Sequence, residues 1–268
     1  MPELPEVETI KNELLPQIKG RKFTGVRIHD SRPLRDAGID EFCTRLIGRQ
    51  VRGVERKGKY IIIRLDGGEH LIIHLRMTGS LLWNPRGDVP FTRVELFLDN
   101  DGRLVFTDAR RFGTIQLTRH PEKITGRLGI EPLSDDFTPE LLRRLLQGHA
   151  APVKSVLLRQ ELIAGIGNMY ADEALFAAGI HPQRPASSLT EAEVKRLHRA
   201  IIAVLRQGIR NKGASIRNYR CPDGEPGHAH EEFAVAHRAG EGCPRCGNKI
   251  ERIVVGQRGT CFCPHCQR

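Results

Sequence analysis

The sequence predicts an α+β fold built as a β-rich first part, a helical middle and a small cysteine-bearing end, and three observations carry that reading. Apolar runs separated by turn signals fill residues 51 to 117. Periodic helical segments follow Pro132, and five of the seven cysteines fall in the last 26 residues.

Each element has its own signal. From Glu6 to Leu14, apolar Val7, Ile10 and Leu14 recur at spacings of three and four, which is one face of a helix. Pro16 and Gly20 are expected to end it. Tyr60–Leu65 and His70–Leu75 read as strands joined by the turn Asp66-Gly67-Gly68-Glu69, and Val94–Leu98 with Arg103–Thr107 repeats the pattern around Asn100-Asp101-Gly102. Such strands must bury a face, so a sandwich or barrel is expected. Thr138 is placed to cap a helix reaching Leu146. Val153–Leu158, Tyr170–Ala178 and Glu191–Leu205 are further helical segments, and Asp172-Glu173 suits the dipole near the start of the second of these. Residues 211–242, rich in Gly, Pro and charge, read as a loop or linker.

Charge and cysteine placement bound the function. The 268 residues fit one large domain or two to three small ones. Lys plus Arg is 42 against 32 Asp plus Glu, a net charge of +10. That excess favours a polyanionic partner such as DNA, RNA or an anionic membrane surface. Aromatics are only 5% of the chain, which points to duplex contact rather than stacking along single strands. No apolar run approaches the ~20 residues of a membrane span, and the acidic start MPELPEVET is no secretory signal. The expectation is a cytoplasmic protein without a membrane partner, and no sequence feature calls for an oligomer.

Cys243-Pro-Arg-Cys246 and Cys263-Pro-His-Cys266 form a C-x2-C-x16-C-x2-C pattern with zinc-ligand spacing. Four thiolates close a tetrahedral shell, so one structural zinc is expected, supplying folding energy to a unit too small for its own core. Cys261 is a rival ligand, but only Cys263 gives the two-residue knuckle with Cys266. Between the pairs, Gly256-Gln257-Arg258-Gly259 reads as a hairpin tip. Its arginine is either a solvated turn residue or a guanidinium aimed at phosphate.

Three further features admit two readings each. Gly165-Ile166-Gly167-Asn168 before a helix is either an ordinary turn or an approach for phosphate to backbone amides. Met77 and Phe112 lie beside glycine and arginine at expected loop tips, so they are either core or wedges inserted into a base stack, and Arg110 could then hydrogen-bond a base left without its partner. Pro2 and Glu3 are either an N-cap for the first helix or a nucleophile with its proton shuttle. Removal of Met1 would expose Pro2 as a secondary amine. An α-amino group titrates near 7.7–8.0 and can attack an electrophilic carbon to form an iminium.

Together these residues resemble the formamidopyrimidine-DNA glycosylase family of bifunctional repair enzymes for oxidised purines. The resemblance rests on Pro2-Glu3-Leu4-Pro5-Glu6-Val7-Glu8-Thr9, Arg56-Lys57-Gly58-Lys59-Tyr60, His74-Leu75-Arg76-Met77-Thr78-Gly79, Arg110-Arg111-Phe112-Gly113, Gly165–Tyr170 and the finger ending in Cys266-Gln267. Leu4 separates the chain from the endonuclease VIII branch, which typically opens Pro-Glu-Gly-Pro-Glu.

The resemblance implies an N-terminal β-sandwich (1–125), a helix–two-turn–helix domain (130–220) and a C-terminal zinc-finger β-hairpin (233–268), with lesion-bearing duplex DNA bound in the cleft between lobes. It implies that 8-oxoguanine or a formamidopyrimidine is flipped out of the duplex. Pro2 would attack C1′, Glu3 would protonate the sugar ring oxygen, and Lys59 and Arg258 would assist the β and δ eliminations. Glu6 matches a carboxylate near the pocket. Met77, Arg110 and Phe112 would fill the vacated space, and His74, Lys154, Asn168, Tyr170 and Arg258 would hold phosphates. His149 occupies the place of a basic DNA-contacting residue, often lysine. Two other segments depart from the family pattern: Pro90-Phe91-Thr92-Arg93 replaces a His-x-His segment, and Val235-Ala236-His237-Arg238 replaces Val-Tyr-Gly-Arg. Residues 213–232 correspond to the loop covering the flipped base. A monomer associated with the bacterial nucleoid is the implied setting.

Overall fold

A computed structural model describes residues 1–35 and 38–268 of the chain. Helix α1 spans Leu4–Ile18 and buries Val7, Ile10, Leu14 and Ile18 on one stripe. It runs through Pro16, which was expected to end it. Proline removes one intrahelical bond, but Leu14 and Ile18 are fully buried and Lys19 N–H still bonds the Leu15 carbonyl at 3.1 Å, so packing carries the last turn past the defect.

The first part forms β1 (Phe23–Ile28), β2 (Leu34–Arg35), α2 (Ile39–Leu46), β3 (Val51–Lys57), β4 (Tyr60–Leu65), β5 (His70–His74), β6 (Gly79–Trp83), β7 (Thr92–Leu98), β8 (Arg103–Asp108) and β9 (Thr114–Thr118). They make two sheets, ordered β1-β7-β8-β6 and β2-β9-β5-β4-β3. Ile61, Ile63, Leu71, Ile73, Ile115 and Leu117 from one sheet join Phe23, Leu96, Leu98, Leu104 and Phe106 from the other in a single core with α1. This is the expected sandwich, its core set by inward-facing alternate residues.

Helix α3 (Glu122–Thr125) closes the first part, and the second contains α4 (Pro139–Leu146), α5 (Val153–Leu157), α6 (Asn168–Ala178), α7 (Glu191–Arg210) and the hairpin β10 (Glu251–Val255) with β11 (Arg258–Phe262). Thr138 caps α4 as expected, its hydroxyl accepting from Leu141 N–H at 3.1 Å.

The chain divides into two units: Met1–Arg127 with Asn211–His228, and Leu128–Arg210 with Ala229–Arg268. The stretch read as a linker is therefore packed structure. Tyr219 and Cys221 join the sandwich core, and Val235 is fully buried with Phe176 and Cys243 in the second unit. Residues 211–220 pack with the first unit. Three irregularly spaced anchors leave no periodicity for a sequence reading to find.

Helix α6 is the mount for the hairpin end. Glu173 accepts the backbone N–H groups of Ala234, Val235 and Ala236 at 2.8–2.9 Å. At its other end Arg245 donates to the Phe176 carbonyl at 3.0 Å and stacks on the Phe176 ring at 4.3 Å. Among the described residues no helix is long and apolar enough to cross a membrane.

Candidate functional site

In the first unit the chain begins at the mouth of α1. Met1 is half exposed, whereas Pro2, Glu3 and Glu6 are buried. Glu3 is the residue preceding the first helical turn, and its N–H donates to Glu6 Oε2 at 2.7 Å. Glu6 Oε1 accepts from Ala214 N–H at 2.8 Å. A Cβ on Gly213 would lie 2.7 Å from Glu6 Cγ, and Gly213 has φ +77, so only glycine fits there. Tyr219 closes the corner, its hydroxyl donating to the Lys212 carbonyl at 3.1 Å. Burial holds that phenol well above its ordinary range, so it stays protonated. Glu6 thus ties α1 to the segment beginning at Gly213, and both of its carboxylate oxygens hold backbone.

Lys59 stands in the tight turn between β3 and β4, after Gly58 at φ +56, and is 7% exposed. The pairing of Tyr60 with His74 brings the next strand beside it. His74 Nδ1 accepts Arg76 N–H at 2.9 Å, and the imidazole meets the Tyr60 ring edge-on at 4.5 Å. Burial, then the charges of Arg76 and Lys59, depress the His74 pKa to about 3. With Nδ1 accepting, the neutral ring presents Nε2–H, an uncharged donor suited to a phosphate oxygen.

Met77, Arg110 and Phe112 share one rim. Arg110 lies 4.9 Å over the Phe112 ring and 3.6 Å from the Met77 sulfur, while Met77 and Phe112 are 47% and 51% exposed. Neither is core. Asp108, fully buried, builds the rim: it accepts Gly113 N–H at 2.7 Å, Arg110 N–H at 3.1 Å and the Thr78 hydroxyl. The sequence signal for Asp108 was its place before a glycine-ended turn, where aspartate bonds the backbone ahead of it.

The second unit holds the other candidates. Arg258 is exposed at the start of β11, and Asn168 Nδ2 donates to the Gly259 carbonyl beside it at 2.9 Å. Lys154, expected on phosphate, is instead fully buried. Its Nζ lies 2.6 Å from Asp172 Oδ1, 2.7 Å from Thr260 Oγ1 and 3.3 Å from the Gly259 carbonyl. A lysine reaching into a protein interior must find a counter-charge, and Asp172 supplies it. Burial raises the Asp172 pKa to about 6 against the pull of Lys154. Tyr170 is also interior, edge-on to Phe233 at 5.7 Å. His149 sits half-buried after α4, its carbonyl accepting from Ser187 N–H at 3.0 Å. Gly165 N–H is taken by Gln160 Oε1 at 3.0 Å, so this glycine's amide serves the loop itself.

The thiols of Cys243, Cys246, Cys263 and Cys266 lie within 4.8 Å of one another, with Cys243–Cys266 at 3.9 Å and Cys246–Cys263 at 3.5 Å. Four sulfurs at ~2.3 Å from one tetrahedral ion would be ~3.8 Å apart, so the set fits one structural zinc. Cys261, the rival, faces Asp172 instead, its N–H donating to Oδ2 at 3.0 Å.

Comparison with known proteins gives collinear matches. Residues 1–115 match the formamidopyrimidine-DNA glycosylase N-terminal domain, 128–220 its H2TH domain, and 240–268 a zinc finger found in FPG and IleRS. Formamidopyrimidine-DNA glycosylase of Chloroflexus aurantiacus is 46% identical, with 100% of this chain and 98% of that protein covered. The crystal structure of the MutM (Fpg) protein of Thermus thermophilus is 42% identical, covers 99% of this chain and 98% of its own, and superposes with a TM-score of 0.90. A Lactococcus lactis Fpg bound to abasic-site DNA is 36% identical, with 99% of both chains covered and a TM-score of 0.91.

Proposed function

The chain belongs to the formamidopyrimidine-DNA glycosylase family, and from that premise we propose that it excises oxidised purines from duplex DNA through Pro2 and nicks the strand at the resulting site. It is a base-excision repair glycosylase with abasic-site lyase activity. The observation that carries the residue roles is the N-terminal corner: an exposed Met1 precedes a buried Pro2-Glu3 at the positive end of α1. A helix N-terminus disfavours an ammonium, so it favours the free amine once Met1 is removed.

In this reading the Pro2 nitrogen attacks C1′ and the base departs with the glycosidic electron pair, taking up the proton that the Pro2 nitrogen loses. Glu3 gives a proton to the ring oxygen, which opens the sugar and leaves an iminium. Loss of a C2′ proton then expels the 3′ phosphate, and a second elimination expels the 5′ phosphate. Lys59 binds phosphate and supplies a proton to the first elimination, and Arg258 assists the second. Glu6 acts by fixing the segment from Gly213 against the corner. Met77, Arg110 and Phe112 fill the space left by the flipped base, with Arg110 facing the orphaned cytosine. His74, Asn168 and Arg258 hold phosphates. Lys154 and Tyr170, being interior, support that surface from within. The zinc holds the finger in shape and takes no part in chemistry. The protein acts as a monomer on cytoplasmic, nucleoid DNA.

A Lactococcus lactis Fpg has also been crystallised with DNA containing an oxidised pyrimidine. The test is therefore a lesion panel in matched duplexes. Base release and strand scission should be faster at 8-oxoguanine and formamidopyrimidine than at thymine glycol. A reversed order would move the substrate class to pyrimidines, and binding without release would make the protein a damage sensor.

A further inference from the structure

The Lys154–Asp172 pair has no role in the chemistry above, yet both side chains are buried. Desolvating two charges costs several kcal/mol before their attraction and hydrogen bonds offset it, and apolar residues of like volume often serve stability as well. The pair has another use within reach: it grips the backbone beside Arg258. Lys154 Nζ donates to Thr260 Oγ1 at 2.7 Å and to the Gly259 carbonyl at 3.3 Å, while Asp172 Oδ2 accepts Cys261 N–H at 3.0 Å. The three residues after Arg258 are thus each held. On its other side Arg258 follows Gly256 and Gln257, at φ +53 and +62, a left-handed two-residue turn. A Cβ on Gly256 would lie 2.6 Å from Ser155 Oγ, so the tip is pressed close against α5. The Arg258 guanidinium itself makes no hydrogen bond or ion pair among the described residues. Its direction is therefore set by the strand that carries it.

We propose that Asp172, acting through Lys154, is a positioning residue that orients Arg258 toward a DNA phosphate. The Lys154 ammonium pairs with the Asp172 carboxylate and donates to Thr260 Oγ1 and the Gly259 carbonyl. The buried charge turns a flexible hairpin tip into a fixed one, at the cost of desolvation. This inference rests on the reading of Arg258 as a phosphate ligand.

The test uses full-length zinc-loaded protein and a duplex with a tetrahydrofuran abasic analogue, with affinity measured across a salt series. Arg258→Ala should flatten the slope of log affinity against log salt by about 0.9, the loss of one phosphate contact. Lys154→Met/Asp172→Asn keeps an acceptor for Cys261 N–H and removes both charges. It should retain zinc and flatten the slope by the same amount. Added to Arg258→Ala, it should weaken binding no further. If the double variant sheds zinc, Thr260→Val, which removes one Lys154 bond, serves in its place and should likewise be silent in the Arg258→Ala background. An unchanged slope for Arg258→Ala defeats the phosphate reading. A normal Arg258→Ala result, with the pair variant either without effect or additive to it, overturns the positioning role alone.

Discussion

The Nδ1 of His74 accepts the backbone N–H of Arg76 at 2.9 Å, and this bond fixes both the tautomer and the charge of the ring. Protonating His74 would break that bond inside a buried site already facing two cations. Its pKa of about 3 lies below the unfolded value near 6.5, so the unfolded chain binds more protons between those limits. Stability from this group is full above pH 6.5 and is lost as pH falls toward 3. At pH 5 the loss is about 2 kcal/mol relative to neutral pH. Urea unfolding at pH 7.5 and 5 should show wild type losing that much more than His74→Gln. Equal losses in the two proteins would mean the ring already titrates normally.

Asp108 is the support of the rim that carries Arg110 and Phe112. Asp108→Ala leaves Gly113 N–H and the Thr78 hydroxyl without their acceptor and should cost about 3 kcal/mol in chemical denaturation. Affinity for lesion duplex should fall along with it. Phe112→Ala, by contrast, removes a half-exposed ring and should lower affinity with a stability change under about 1 kcal/mol.

Gly213 faces Glu6 so closely that any side chain must displace it. Gly213→Ala places Cβ 2.7 Å from Glu6 Cγ at a φ of +77. If the segment from Gly213 covers the flipped base, as proposed, base excision should slow markedly while cleavage at a preformed abasic site falls less. Single-turnover rates on the two substrates give the comparison.

Zinc removal should unfold the finger alone. With chelator, the metal should leave together with lesion-duplex binding, while the sandwich, whose core draws on none of the four ligands, keeps its cooperative transition. Two separate unfolding steps in calorimetry would record this, and restored binding on adding zinc would complete it.

Much of this molecule is written locally. The Cys243–Cys246 and Cys263–Cys266 knuckles, the apolar run of β4 and the Thr138 cap each need only a few neighbouring residues, and all are found where their patterns place them. Lys154 was harder. Only the family resemblance placed it on phosphate, and its counter-charge lies on another helix at Asp172, with its other partners near residue 260. Tyr219 and Cys221 enter the sandwich core from a Gly- and Pro-rich stretch because long-range packing, which has no period, decides their place. Pro16 misled for a related reason: local propensity yielded to burial of Leu14 and Ile18.

The central claim is that the nitrogen of Pro2 becomes bonded to the sugar. Borohydride reduction of the reacting mixture with 8-oxoguanine duplex, followed by peptide mapping of the covalent adduct by mass spectrometry, tests it most directly. The account predicts a peptide that starts at Pro2, lacks Met1 and carries a reduced deoxyribose on its terminal nitrogen, with no adduct from Pro2→Gly above a small residue. A sugar mapped to a lysine, or full strand scission by protein still bearing Met1, would contradict it.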